Sequence, residues 1–264
     1  MRNQLLFFII ILLSSSSFGQ KIAILGAMTE EVQLLESQLK QAKTKQILGF
    51  EYKTGKLSGK KVVIAQTGIG KVNASITTTL IIKVFRPKSI IFTGVAGAVS
   101  SELNQGDILI GKKLSYHDYG RLTNDSLKFY PTRNPHTGNF NPQFFLSDSL
   151  MILMSEKAAK EVVLQKITPN SPTPRILAGT IVTGDTFVAS SIAVAGFKRN
   201  YQADATEMEG AAVAQICFQQ KLPFLIIRSI SDKANEAAPA DFQTFKKTAA
   251  DNSAILVKTI LKYL

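Results

Sequence analysis

Thiols and imidazoles are nearly missing from this chain of 264 residues, which has one cysteine, Cys217, and two histidines, His117 and His136. A lone cysteine excludes an internal disulfide, and with two histidines it leaves no spacing that matches a ligand set, so neither a metal nor a cofactor is expected. The apolar neighbours Ile216 and Phe218 mark Cys217 as a buried structural thiol. Clustered positive charge is missing too. Lysine and arginine outnumber the acids by 31 to 19, a formal charge of +12. They nevertheless stand as isolated pairs such as Lys60-Lys61, Lys112-Lys113 and Lys246-Lys247, with no basic helix face interleaved with aromatics, so nucleic acid is not expected as a partner. A third absence is a long apolar run. The stretch from Leu5 to Leu13 is less than half of the roughly 20 residues that a spanning helix needs. With Arg2 before it and the small residues Ser17 and Gly19 after it, the run reads as a secretory signal peptide over residues 1–19, cleaved before Gln20. The expectation is an exported protein, periplasmic or secreted, with no stable membrane insertion after cleavage and with residues 20–264 as one domain.

What is present describes an ordinary globular protein. Hydrophobic residues make up 45% of the chain and charged residues 19%, enough apolar material for a sizeable core. Short β-branched runs alternate with longer helical stretches, the pattern of an α/β protein with a central, largely buried sheet. Strands are expected at Lys21–Leu25, Lys61–Gln66, Ser89–Thr93, Asp107–Ile110, Ile176–Val182 and Pro223–Arg228. Helices are expected at Thr29–Gln41, Lys71–Phe85, Ser147–Glu161, Glu209–Gln219 and Asp241–Leu261. Gly26, Gly68-Ile69-Gly70, Gly94-Val95-Ala96-Gly97 and Gly184-Asp185 each follow the C-terminal end of an expected strand, where open α/β sheets hold ligands. Asn73 stands where a dinucleotide fingerprint needs its third glycine, so NAD binding is discarded. From Asp118 to Arg175 the rhythm breaks into a Pro-, Asn- and Ser-rich segment, with one expected helix between two long loops.

Three acids follow expected strands at the presumed ligand edge: Glu31, Glu209 and Asp232. Each also has a bland role. Glu31 lies beside Glu30 in a helix's first turn, where a carboxylate meets the dipole favourably. Glu209 can close a Thr206-x-x-Glu209 capping box, and Asp232 can cap a turn after Ser231. Their surroundings shift the weighting. Lys21-Ile-Ala-Ile-Leu-Gly-Ala-Met28 with Glu30-Glu31, Thr67-Gly-Ile-Gly-Lys-Val-Asn73, Thr93-Gly-Val-Ala-Gly97 and Gly106-Asp107-Ile108 occur in that order. Tyr116-His117-Asp118, Val182-Thr-Gly-Asp-Thr-Phe187, Glu207-Met-Glu-Gly-Ala211 and Arg228-Ser-Ile-Ser-Asp232 follow. In these motifs the chain resembles the 5′-methylthioadenosine/S-adenosylhomocysteine nucleosidases over nearly its whole mature length.

The resemblance implies a nucleoside phosphorylase-like α/β fold, a single-domain three-layer sandwich with a central mixed, twisted β-sheet flanked by helices. It also implies hydrolysis of the N-glycosidic bond of a purine nucleoside. Breaking that bond builds positive charge on the ribose and negative charge on the departing purine, which acids can stabilise and protonate. By the resemblance Asp232 donates a proton to purine N7, Glu31 deprotonates the attacking water, and Glu209 accepts from the ribose hydroxyls. Met208 packs on the sugar, Arg228 holds Glu209 and the water, Phe187 stacks on the purine, and Val188 offers its backbone to the base edge. Phe242 shuts over the ribose, and Met28, Ala96 and Gly97 complete the substrate contacts. Proton donation near neutral pH requires a raised pKa at Asp232, most simply from burial.

Related phosphorylases attack with phosphate and carry arginines in the loop after the first strand and just before the glycine turn, with a serine inside that turn. Here those places hold Gly26-Ala-Met-Thr-Glu-Glu31, Phe92 and Val95. Carboxylates repel phosphate, so water is the expected nucleophile. Val95 also replaces the serine usual in the nucleosidases, and Tyr119–Arg175 is longer than in compact relatives, which leaves the 5′ substituent open. The alternatives are a phosphate-dependent phosphorylase and a non-catalytic nucleoside-binding or storage relative, whose signature would be loss of the acids. His117 reads as structural. The family further implies a homodimer in which a partner residue can close the pocket.

Overall fold

The computed structural model describes residues 21–124 and 127–264. The expected signal peptide and its cleavage point lie outside the described residues. The chain runs β1 (Ile22–Gly26), α1 (Thr29–Ser37), β2 (Lys40–Ile47), β3 (Phe50–Leu57), β4 (Lys60–Gln66), α2 (Lys71–Phe85), β5 (Ser89–Ala98) and β6 (Ile108–Tyr116). It continues with β7 (Gly120–Leu122), β8 (Leu127–Phe129), β9 (Phe145–Leu146), α3 (Ser149–Ala159), β10 (Ile176–Thr183), α4 (Ser191–Tyr201), β11 (Ala205–Glu207), α5 (Gly210–Gln219), β12 (Phe224–Asp232) and α6 (Ala238–Ile260).

One mixed sheet takes the order β11-β10-β6-β12-β5-β1-β4-β3-β2, with β9 against β6, while β7 and β8 form a separate hairpin. β1 runs parallel to β4 and β5, and β12 runs parallel to β5 but antiparallel to β6. β11 pairs with β5 as well as β10, Thr206 lying opposite Gly97, so that β5, β12, β6, β10 and β11 close into a ring.

The two-residue period of a strand sends neighbours to opposite faces. Ala23 and Leu25 enter one core with Phe92, Ile226 and Val213, whereas Ile22 and Ile24 enter another with Ile91, Leu225 and Val257. α2 and α5 pack together on the first side; α1 and α3 pack with α6 on the second. This is the expected three-layer arrangement. Burial on both faces is why β1, β5 and β12 read as apolar runs instead of alternating ones.

Several boundaries differ from expectation. α1 ends at Ser37, not Gln41, because the Gln38 N–H turns back to the Leu35 carbonyl and the Leu39 N–H to that of Glu36, and Lys40–Ile47 pairs with β3 instead. The turn between them, Leu48-Gly49, has φ of 50° and 82°, the geometry of a two-residue hairpin. The Gly94–Gly97 segment lies inside β5 and not beyond it, and β12 continues past Arg228 to Asp232. The segment from Asp118 to Arg175 contains α3 but also β7, β8 and β9. Helix α4 was not anticipated; none of its residues is buried. Among the described residues, no helix is long and apolar enough to cross a membrane.

Candidate active site

The extended ends of β5 and β12 are what bring the chemistry together. With the turns that lead into α1, α2 and α5 they bound a cavity of about 300 Å³. Glu31, Glu209 and Asp232 all line it, as do Met28, Ala96, Gly97, Phe187, Val188, Met208 and Phe242. Residues as far apart in sequence as Met28 and Phe242, 214 positions, therefore share one space, as the reading of the motifs required.

Glu31 sits in the first turn of α1 and is buried. Its Oε2 accepts the backbone N–H groups of Ala27 at 2.5 Å and Met28 at 2.9 Å, and Oε1 accepts that of Val95 at 3.0 Å. The dipole role and the site role thus coincide in one side chain. Burial pushes its carboxyl upward, opposed by the Arg228 charge and by these N–H donors.

Asp232 ends β12 just after a register irregularity, opposite Gly97. Its Oδ2 accepts the Ser231 hydroxyl at 2.7 Å and Oδ1 the Ala234 N–H at 2.8 Å. A Cβ on Gly97 would lie 2.7 Å from that Oδ1, so only glycine leaves room for the carboxyl. Burial again raises the pKa, and no cation opposes it. That is the condition a proton donor needs.

Glu209 is the N-cap of α5, and its Oε1 accepts the Gly70 N–H at 2.8 Å. Its pKa is raised, first by burial and next by the charge of Glu207, with Arg228 acting against both. Thr206 belongs to β11, so the supposed capping box from Thr206 does not form. Across the cavity the rings of Phe187 and Phe242 meet edge to face, 5.5 Å between centroids at 75°. Val95 clusters with Ala249 and Ala250, and Met28 and Phe242 pack against that cluster, an apolar wall at the position of the missing serine.

The comparisons with known proteins agree with this geometry. The family model described as the phosphorylase superfamily matches residues 21–262. The 5′-methylthioadenosine/S-adenosylhomocysteine nucleosidase of Psychromonas ingrahamii is 37% identical over 245 residues, which cover 92% of this chain and 99% of that protein. This chain belongs to the 5′-methylthioadenosine/S-adenosylhomocysteine nucleosidase family of the phosphorylase superfamily. The crystal structure of the Neisseria meningitidis nucleosidase in complex with methylthio-immucillin-A superposes with a TM-score of 0.78 at 36% identity, covering 93% of this chain and all (100%) of that one. Futalosine hydrolase of Helicobacter pylori is similar as well, with a TM-score of 0.79 at 31% identity over 93% of this chain and 98% of that one.

In this member of the family, one expected contact is corrected. Arg228 does not line the cavity; it is buried behind it, and its main partner is Glu207, not Glu209. Nε and Nη2 lie 3.2 and 2.6 Å from Glu207 Oε2, whereas Glu209 Oε2 is 3.9 Å away. Nη1 donates to the carbonyls of Phe92 and Ile227, and the guanidinium lies over the Phe92 ring. Glu207 also accepts the Glu209 and Gly210 N–H groups at the start of α5 and the Thr183 hydroxyl. Arg228 therefore holds Glu209 in place mainly through Glu207 and the α5 N-terminus, while its charge also reaches Glu209 directly across 3.9 Å.

Glu207 is the functional residue that sequence reasoning passed over. A signal was available: an arginine inside the apolar strand Phe224–Asp232 needs an internal acid, because buried charges must be paired. His117 is stacked against Phe197, with ring centroids 4.4 Å apart, and stays outside the cavity lining. Cys217 is buried and its thiol pKa is pushed up by burial. Among the described residues, the cavity lining includes the carboxylates of Glu31, Glu207, Glu209 and Asp232 and no lysine, arginine or histidine.

Proposed function

We propose that this chain hydrolyses the N-glycosidic bond of an adenine nucleoside, 5′-methylthioadenosine, S-adenosylhomocysteine or a close relative, releasing the free base and the ribose derivative. The observation that carries it is a cavity with four carboxylates, two aromatic rings and, among the described residues, no cationic side chain in its lining. Inorganic phosphate would find no cationic donor in that lining and would be repelled by an ionised Glu31, whereas neutral water would not. This favours hydrolysis over phosphorolysis, and the presence of all three acids argues against a purely binding or storage role.

In the proposed reaction the C1′–N9 bond breaks with its electron pair going to the purine. Asp232 delivers a proton to N7, and water bonds to C1′ as Glu31 takes its proton. The two acids need opposite protonation states; burial raises both, and it is the groups opposing that rise that differ in the required sense. Glu31 has three backbone donors and the Arg228 charge favouring its ionised form; Asp232 has one backbone donor, one hydroxyl and no cation. Glu209 accepts from the ribose hydroxyls, Met208 packs on the sugar, Phe187 stacks on the base beside Val188, and Phe242 closes over the ribose.

The 5′ substituent is the finer part of the proposal, since relatives of similar likeness are named for different nucleosides. A homodimer is part of the reading, supported by the exposed apolar side chains Ile69, Val72 and Ile76 at and next to the cavity rim. Export is part of it too, supported by the composition of residues 1–19. The decisive experiment incubates the protein with methylthioadenosine, S-adenosylhomocysteine, adenosine and inosine, each with and without phosphate. Free adenine and a reducing sugar are expected from the adenine nucleosides, and a ribose 1-phosphate product overturns the hydrolase assignment. Sedimentation of the mature protein as a monomer rejects the dimer, and an uncleaved N-terminus in the cell rejects export.

A further inference from the structure

The N-terminus of α2 ties the sugar side of the cavity to the base side. Backbone N–H groups at a helix start lack partners within the helix, and here two of them find carboxylates from different loops. Gly70 N–H donates to Glu209 Oε1 at 2.8 Å, and Lys71 N–H donates to Asp185 Oδ1 at 2.7 Å. Asp185 opens the loop that carries Phe187 and Val188 into the cavity. The Lys71 ammonium lies 2.7 Å from each Asp118 oxygen and 3.8 Å from Asp185 Oδ2. Asp118 in turn accepts the Asp185 backbone N–H at 2.8 Å. The backbone is shaped for this meeting: Gly70 has φ of 95°, and a Cβ on it would stand 3.1 Å from Asp185 Oδ1. Lys71, Asp118 and Asp185 are outside the cavity lining.

We propose that Asp185, held by Lys71 and Asp118, is a positioning residue that fixes the base-stacking loop and the sugar-binding Glu209 to one another through the α2 N-terminus. The proposal rests on the reading of the cavity as a nucleoside site. The three side chains are 22%, 24% and 45% exposed, and ion pairs with that much solvent contribute little to stability. Their effect falls on substrate placement. When the Asp185 anchor is removed the stacking loop loosens, and ground state and transition state lose the base contact together, so KM rises more than kcat falls.

Methylthioadenosine kinetics and calorimetric titration with adenine compare the wild type with Asp185→Ala, Asp185→Asn and Lys71→Met. Asp185→Ala is expected to raise KM and the adenine Kd about tenfold, the size of one lost charge-assisted hydrogen bond, with kcat changed by less than about threefold. Asp185→Asn keeps an oxygen for the Lys71 N–H and returns both constants to within about threefold of wild type. Lys71→Met leaves two carboxylates facing each other and falls between these two. Unchanged adenine affinity in Asp185→Ala, or a loss that Asp185→Asn fails to restore, overturns the proposal. A wild type that binds adenine but cleaves no nucleoside sinks the hydrolase reading alone, because the titration still decides the role of Asp185. A wild type that does not bind adenine sinks both.

Discussion

Arg228 and Glu207 meet 2.6 Å apart, Nη2 to Oε2, with both side chains 2% exposed. The pair stands between the sheet and the cavity and sets the charge that Glu209 and Glu31 experience. An enclosed ion pair adds little net stability, but removal of one partner leaves an uncompensated buried charge, a loss of about 3–5 kcal/mol. Arg228→Met is expected to lose that amount in urea unfolding and to reduce turnover by displacing Glu209. A variant within about 1 kcal/mol of wild type contradicts the enclosed pairing.

Asp232→Asn keeps the shape of the side chain and removes its transferable proton. Turnover of adenine nucleosides is expected to fall by about 10²–10⁴-fold, the usual worth of a general acid, while adenine binding is largely retained. In the wild type kcat/KM falls on the alkaline side as Asp232 loses its proton. Near-normal activity in the variant moves the proton donor elsewhere.

The layers and the three acids were legible in the sequence because each leaves a local trace. Ile22–Leu25 and Phe224–Ile227 are apolar runs of strand length, and Glu31, Glu209 and Asp232 sit inside recognisable motifs. The hairpin of β2 and β3 left none, since Lys40–Ile47 is polar and almost wholly exposed, so nothing in it alternates. α4 left only a weak trace, since its apolar face of Val194, Phe197 and Tyr201 is half-buried and none of its residues is fully buried. The extension of β5 through Gly94–Gly97 was read as a turn because glycine marks turns and close backbone approach alike. What the sequence withheld about the site was partnership. That Arg228 pairs with Glu207, and that β11 closes the ring, depend on tertiary distances with no sequence period.

The buried acids also set a pH dependence of stability. The Glu209 pKa is raised, by burial first and by Glu207 second, above the ordinary value of about 4.3 in an unfolded chain. The folded state then holds this proton more tightly. The stability it contributes is complete below about pH 4.3 and is lost as pH rises through the folded value. Glu209→Gln is neutral throughout and escapes that loss. The melting temperature of the variant minus that of wild type is expected to increase as pH is raised from about 5 to about 8. A difference that stays flat or decreases would show that burial does not hold Glu209 protonated.

Gly94 tests whether close approach explains the glycines of β5. A Cβ there would lie 2.5 Å from Glu31 Oε1 and 3.2 Å from Arg228 Nη1. Glu31 cannot withdraw freely, because its oxygens are bonded to the N–H groups of Ala27, Met28 and Val95. Gly94→Ala therefore shifts the base that activates water by a fraction of an ångström to an ångström, and misplacement on that scale reduces turnover by about 10²-fold. Adenine contacts Phe187 and Asp232 on the far side in the proposed pose, so its affinity is expected to change little. The two readouts separate the explanations: turnover lost with adenine binding kept assigns Gly94 to the placement of Glu31, whereas full turnover in Gly94→Ala means that Glu31 is free to move and is not held by the bonds described.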